Sequence, residues 1–296
     1  MHVNGPVGIV GLGLMGTALA ERLIAAGKPV IGFDIDTGRC AALKASGGAV
    51  ATSLRELAGQ SRTIVIAVFS GQQAEALFGG IAEGAGLERL IVVCTTTCAP
   101  DEIAALARRA AAAGMALVEA PISGTSAELR AGTAIALIAG EASAIEAVSG
   151  LLEILCPRRV EVGAIGDASR TKLAINLILQ SNRAALAEGI ACAERLGLDG
   201  NAFLAAARES AAYSRVMDTK AHKMLMREYA PQSHIAQTLK DAELILSEAN
   251  RHGLALPMTA TQADLLRAAM ALEGPDSDSA AVIEAIRRPR AAEVAR

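Results

Sequence analysis

The chain predicts a doubly wound, parallel α/β sheet followed by an all-α domain, on three observations. β-branched and apolar runs alternate with Ala-rich amphipathic runs between Val7 and Val162. Glycines cluster where the first strand-like run meets the first helix-like run. From Asp167 onward only helical patterns remain, broken at Gly197, Gly200, Pro231, Gly253, Pro257 and Gly274–Pro275. The expected domains are residues 1–165 and 166–296.

The first unit is the most informative. "VGIV" (Val7–Val10) reads as a buried parallel strand. "GLGLMG" follows and sets Gly11, Gly13 and Gly16 in G-x-G-x-x-G. "TALAERLIAAG" has apolar residues at helical spacing and stops at Gly27, a C-terminal stop signal. "KPVIGFD" is a second strand ending in Asp34. Strand, glycine turn, helix, strand and terminal acid make a Rossmann-type dinucleotide site. The first glycine permits the turn, the second lets backbone approach a pyrophosphate, and the third lets helix and strand pack closely. Gly11, Leu12, Gly13, Leu14, Met15 and Gly16 would thus cradle the cofactor, with its phosphates on the amides opening the helix. Asp34 would accept from ribose hydroxyls and repel a 2′-phosphate, which favours NAD over NADP. Arg39 lies close enough in sequence to swing toward a phosphate.

The alternation then repeats. Strands are expected at Thr63–Val68, Leu90–Thr95, Ala116–Glu119, near Thr133–Ala139 and near Arg158–Val162. Ser53 and Glu56 have capping-box spacing before a helix. One long helix is expected from about residue 167 to 196, and the tail from Arg287 is expected to be loose.

Composition narrows the function classes. With 52% hydrophobic and 20% charged residues the chain can bury a core. A net charge of −3, 2% aromatics and no Trp argue against a nucleic-acid partner. No apolar run is long enough to cross a membrane, and the first residues lack a signal-peptide pattern. The five cysteines show no Cys-x-x-Cys and read as reduced thiols of a cytoplasmic protein. Cys94 and Cys98 read as small buried hydrophobes before a redox pair. No metal is expected, since the four histidines form no His-x-x-x-His. Tyr-x-x-x-Lys and G-x-S-x-G are absent.

A nucleotide domain alone leaves the chemistry open. The long helix carries Lys172 and Asn176, four residues apart and so on one face. Asn176 sits inside "LAINLIL", where an amide needs a partner. Taken alone, the pair also fits a helix with one satisfied amide and a snorkelling lysine.

Together these segments resemble the β-hydroxyacid dehydrogenase family, which includes 3-hydroxyisobutyrate dehydrogenases, tartronate semialdehyde reductases and L-threonate dehydrogenases. The match runs in order through "GLGLMG", "CTTTCAP" (Cys94–Pro100), "EAPISGT" (Glu119–Thr125), "GAIGDASRTKLAIN" (Gly163–Asn176) and "LKDAEL", with its Lys240–Asp241 pair. The resemblance implies hydride transfer between a nicotinamide cofactor and a small 3-hydroxy acid. It makes Lys172 the general acid/base and Asn176 the residue that orients the substrate. It puts the substrate carboxylate on Ser123 and Gly124, with Thr125 and Ser233 beside it. It assigns Val68, Phe69, Thr97 and Lys240 to the cofactor.

Four positions depart from the family pattern. Glu119 stands for Asp, Thr125 for the second Gly of Ser-Gly-Gly, Ser233 for a frequent Phe, and Phe69 for a frequent Pro. Loss of an aromatic at Ser233 leans toward a larger or polyhydroxylated acid. The family's helical half pairs with another subunit, so a homodimer or homotetramer is expected. Two alternatives stay open: an imine reductase of the same architecture, and a nucleotide sensor without turnover. Imine reductases usually lack the lysine that Lys172 supplies here.

Overall fold

The computed structural model describes residues 5–86 and 90–288. It divides into two compact units, Met1–Lys172 and Leu173–Arg296. In the first, β1 (Val7–Val10), α1 (Leu14–Ala25), β2 (Val30–Phe33), α2 (Thr37–Ala45), β3 (Ala49–Val50), α3 (Leu54–Gln60) and β4 (Thr63–Ile66) come first. α4 (Gly71–Gly84), β5 (Ile91–Cys94), α5 (Pro100–Ala112), β6 (Ala116–Glu119) and β7 (Ile122–Ser123) follow. α6 (Ser126–Arg130), β8 (Ile135–Gly140), α7 (Ala142–Leu155) and β9 (Arg158–Gly163) complete the sheet.

The strand order is β3-β2-β1-β4-β5-β6-β8-β7, with β9 on the far side of β8. Strands β1 to β6 pair in parallel. Alternate side chains serve opposite layers, as the pleat dictates. Val7, Ile9, Val65, Val93 and Val118 pack with the α1 and α7 side. Val10, Ile64, Ile66, Val92 and Leu117 pack with α3, α4 and α5. Both faces are covered, which is why these strands read as unbroken apolar runs.

The expected parallel doubly wound sheet holds through β6, and the pairing changes beyond it. β8 runs antiparallel to β6 and β7, and only β9 lies parallel to it. A parallel return needs a full crossover helix. The segment from Gly124 to Ala134 holds only the short α6, so the chain doubles back. The two-residue strands β3 and β7 were not foreseen, because runs that short carry no period. β4 ends at Ile66 rather than Val68, and β5 at Cys94 rather than Thr95, so the residues after each are loop. At Ser53 the hydroxyl caps α3 by accepting from Glu56 N at 3.1 Å. The Glu56 carboxylate accepts from Thr52, not from Ser53, so the expected capping box is half made.

α8 (Asp167–Arg195) is the long helix expected from the sequence. The second unit adds α9 (Gly200–Glu209), α10 (Val216–Met226), α11 (Ile235–Arg251), α12 (Pro257–Glu273) and α13 (Val282–Arg287). Its core gathers Leu186 and Ile190 of α8, Met217 and Met224 of α10, Ile235 and Leu239 of α11, and Leu266 of α12. Among the described residues no helix is long and apolar enough to cross a membrane. His2 and most of the expected loose tail, Pro289–Arg296, lie outside the described residues. Arg287, where that tail was expected to begin, is instead held in α13 by Glu284 at 2.7 Å.

Candidate active site

The strand order reverses at β1, which lies between β2 and β4. Open α/β sheets bind ligands at such a switch point, beyond the carboxyl ends of the strands. The turn after β1 fits a dinucleotide in detail. Gly11 has φ +90° and packs on the loop after β4, where a Cβ would collide with the Ala67 carbonyl. A Cβ on Gly16 would overlap the Gly11 carbonyl, so helix and turn touch backbone to backbone. Gly13 differs: a Cβ there would meet nothing nearer than Arg39 Nη1 at 3.9 Å. Its side faces open space, which is what a close approach by a ligand requires. No side chain caps α1, so its first amides stay available for a pyrophosphate. Leu12 is buried, and Leu14 and Met15 open the helix.

Asp34 follows β2 directly. Its carboxylate accepts from Leu12 N at 2.6 Å and from Asp36 N at 2.9 Å. It is thereby aimed at the glycine turn and keeps lone pairs for ribose hydroxyls. Arg39 Nη1 lies 3.6 Å from it, and Arg39 Nε lies 3.5 Å from Asp36. Val68 and Phe69 form the loop after β4. Val68 N donates to Thr96 Oγ1 at 3.1 Å, and that hydroxyl donates back to Val68 O at 3.2 Å. The sequence singled out Thr97; its neighbour Thr96 ties the two loops together. Phe69 N is held by Gln73 Oε1 at 2.9 Å, and its ring is 43% exposed.

Ser123 ends β7, paired with Ile135. Gly124 has φ +146°, and a Cβ there would come within 2.9 Å of Ala134. The Thr125 hydroxyl accepts from Glu128 N at 3.2 Å, and Thr125 N donates to the Glu128 carboxylate at 2.9 Å. That threonine is thus the N-cap of α6, a role hidden by its place in the motif.

Glu119 ends β6 and is 1% exposed. Its carboxylate accepts from Gly166 N at 2.8 Å and Ser169 N at 2.5 Å, at the opening of α8. Burial pushes its carboxyl up from the ordinary value, against the lowering effect of these hydrogen bonds. Lys172 stands one turn further along α8 and is 5% exposed.

In the helical unit, Asn176 donates from Nδ2 to Asp241 Oδ2 at 2.9 Å. Only the amide nitrogen can donate to a carboxylate, so Asn176 presents Oδ1 as an acceptor. Asp241 also pairs with Lys240 Nζ at 2.9 Å. Ser233 is engaged elsewhere. Its hydroxyl lies 3.1 Å from Lys220 Nζ, which donates to it, and 2.9 Å from Ser279 Oγ. Lys220 makes a buried ion pair with Asp278 at 2.6 Å. Burial pushes the Lys220 ammonium down to about 8, while Asp278 works to hold it up. Burial also costs the Asp278 carboxyl, but Lys220 and the amides of Gln232 and Ala280 together hold it below its usual value. Sequence reasoning named none of Lys220, Asp278, Gln180, Arg183 or Gln262. The one signal available was their polarity within apolar helical stretches.

Comparison with known proteins agrees with this geometry. Residues 6–163 match the model of the NAD-binding domain of 6-phosphogluconate dehydrogenase. Residues 166–286 match the model of the NAD-binding domain of NADP-dependent 3-hydroxyisobutyrate dehydrogenase. The chain is 29% identical to L-threonate dehydrogenase of Cupriavidus necator, covering 93% of this chain and 94% of that relative. It is 31% identical to 2-hydroxy-3-oxopropionate reductase of Escherichia coli K12, over 95% of this chain and 96% of the relative. A solved 3-hydroxyisobutyrate dehydrogenase from Salmonella typhimurium superposes with a TM-score of 0.86 at 26% identity, covering 95% of this chain and 99% of that one. The glycine turn marks a dinucleotide site, and with these relatives the protein is a nicotinamide-dependent oxidoreductase that acts on CH–OH groups. The chain belongs to the β-hydroxyacid dehydrogenase family, and its substrates are β-hydroxy acids.

Proposed function

We propose that Lys172 is the general acid/base of this oxidoreductase, that Asn176 orients the substrate, and that NAD is the cofactor. The observation that carries the reading is the Asn176–Asp241 hydrogen bond, one helical turn from the buried Lys172. It fixes the amide so that its carbonyl oxygen can accept from a substrate hydroxyl. When bound at the glycine turn, NAD would supply the hydride acceptor for oxidation at the carbinol carbon. In that direction Lys172 Nζ takes the hydroxyl proton; in reduction it returns a proton to the carbonyl oxygen. The Ser123 hydroxyl and the backbone at Gly124 hold the carboxylate. NAD is favoured because Asp34 offers a carboxylate where NADP carries a phosphate, and Arg39, its nearby cation, is shared with Asp36. The substrate is a small β-hydroxy acid in the range of 3-hydroxyisobutyrate, glycerate and L-threonate.

The assembly is a homodimer or homotetramer. The helical unit exposes Ile178, Leu196, Leu198 and Met258, apolar surface that a second copy would cover. Light scattering at micromolar concentration tests this, and a monomer would overturn it.

The functional test is a panel of hydroxy acids with NAD at mildly alkaline pH, with Lys172→Ala alongside. Turnover should fall by about 10²- to 10⁴-fold in the variant, with NAD binding retained. Equal turnover in Lys172→Ala would remove Lys172 from the chemistry. Nucleotide binding with no turnover on any acid would favour an imine substrate or a sensor.

A further inference from the structure

The sheet of the first unit ends in an open edge. Among the described residues β9 pairs only with β8. Alternate residues of β9 therefore turn their N–H and C=O groups away from β8, as an edge strand must. Arg158, Val160, Glu161 and Gly163 lie at the surface, and Val160 is 52% exposed. Natural sheets protect such edges with very short strands, prolines or charges that repel a second strand. β9 has six residues, no proline, and charges of both signs.

The order of those charges matters. Arg159 and Glu161 are two apart and share one face, with Val160 between them on the other. The register shift against β8 falls between Ile138 and Ala139, beyond the partner of Glu161, so residues 158–161 keep a regular pleat. Set β9 antiparallel against β9 of a second copy, centred on Val160. Arg159 then faces Glu161 of the second copy, Glu161 faces its Arg159, and the two exposed valines meet on the axis. Opposite charges directly across a strand pair stabilise it, and like charges oppose it. Centring one residue earlier sets Arg159 against Arg159. Centring one residue later sets Glu161 against Glu161. The charge pattern thus admits one of the three registers. Arg159 also pairs with Glu153 of α7, but a guanidinium carries five donors and can serve two carboxylates.

We propose that β9 is an interface between two copies of this chain, whose β9 strands pair antiparallel about Val160 and join two nine-stranded sheets into one. A second copy is the occupant because a two-fold contact needs a surface that complements itself, and the charges of β9 do so. Two six-residue strands bury less area than a stable interface needs alone. The pairing therefore works beside a second contact, and two different two-fold contacts close a tetramer. That second contact is the apolar surface of the helical unit, so the tetramer rests on the assembly proposed above, whereas the pairing of β9 does not.

The test is charge reversal with rescue, read by light scattering on the full chain at micromolar concentration. Glu161→Arg turns both cross-strand pairs into Arg–Arg and should weaken the contact by about tenfold or more, halving the particle mass. Arg159→Glu should do the same. Arg159→Glu together with Glu161→Arg should restore the wild-type mass, because each pair again has opposite signs. Thermal melting controls for folding, and each variant should melt within a few degrees of wild type, since the strand is at the surface. A second readout is covalent. In a Cys192→Ser background, which removes the exposed thiol, Val160→Cys should link two chains on mild oxidation, because opposed Cβ atoms lie about 4.5–5.5 Å apart. Val162→Cys should not, because its twin is offset by four residues, about 13 Å. Wild-type mass in both single variants, a double variant that stays dissociated, or no link through Val160→Cys overturns the proposal. A wild-type tetramer that falls to a dimer in Glu161→Arg supports both contacts. A wild-type dimer that falls to a monomer supports the β9 pairing and counts against the helical contact.

Discussion

Glu119 and Ser169 are joined by a 2.5 Å hydrogen bond from the helix amide to the buried carboxylate. With the bond from Gly166, it ties the end of β6 to the opening of α8, the helix that carries Lys172. The helix thus gains an N-terminal cap from a distant strand, and the carboxylate sits at the positive end of the helix dipole. Lys172 comes one turn later, so its position depends on this bond.

Glu119→Ala should therefore cost about 1–3 kcal/mol, the penalty for leaving buried amides unmade. It should also lower kcat with Lys172 intact, because the helix opening loosens. Thermal melts and steady-state kinetics check both effects. The pH dependence has a definite sign. Burial raises the Glu119 carboxyl, so above its ordinary value the native state holds more protons than the unfolded chain. Stability from this group is then greatest at low pH and is lost as pH rises from about 4.5 through the raised value. Glu119→Gln should flatten that decline in melts recorded across the range. An unchanged slope would assign the pH dependence to other groups.

Two glycines of one turn should fail differently. Gly16→Ala places a methyl group on the Gly11 carbonyl, so the folded unit should be lost or strongly destabilised. Gly13→Ala meets only Arg39 at 3.9 Å. It should melt within a few degrees of wild type yet lose NAD affinity, because its methyl group enters the space kept for the ligand. Nucleotide titration and thermal melting, run together, distinguish the two.

The Lys220–Asp278 pair is 3% and 0% exposed at its side chains. Lys220→Met leaves the Asp278 carboxylate buried without its cation, which should cost about 3–5 kcal/mol. Lys220→Met with Asp278→Asn should recover much of the loss, because the second change removes the stranded charge. Denaturant unfolding of the single and double variants measures the coupling. Two equally unstable variants would show that Asp278 acts mainly as an acceptor for backbone amides.

Asp34 should set the nucleotide preference. Asp34→Ala removes the charge opposing a 2′-phosphate, so NADP affinity should rise by about fivefold or more, from the ~1 kcal/mol that two charges 4 Å apart exchange in water. NAD affinity should fall with loss of the ribose acceptor. Fluorescence titration with both reduced nucleotides reads the ratio.

What was legible in the sequence is what local chemistry dictates. Three glycines between a β-branched run and an amphipathic run leave the backbone few options, so the cofactor turn, Asp34 and the long helix from Asp167 could be placed from spacing alone. Lys172 and Asn176 share a helix face by arithmetic. The tertiary structure decided what depends on distant partners. It turned β8 antiparallel, because the segment before it is too short to cross over. It gave Glu119 to the amides of α8, and Asn176 to Asp241, 65 residues away. It engaged Ser233 with Lys220, and drew Lys220 to Asp278 across 58 residues. No period or spacing encodes such pairings. A buried charge takes whichever partner the packed helices bring within reach, and that choice exists only once the chain has folded.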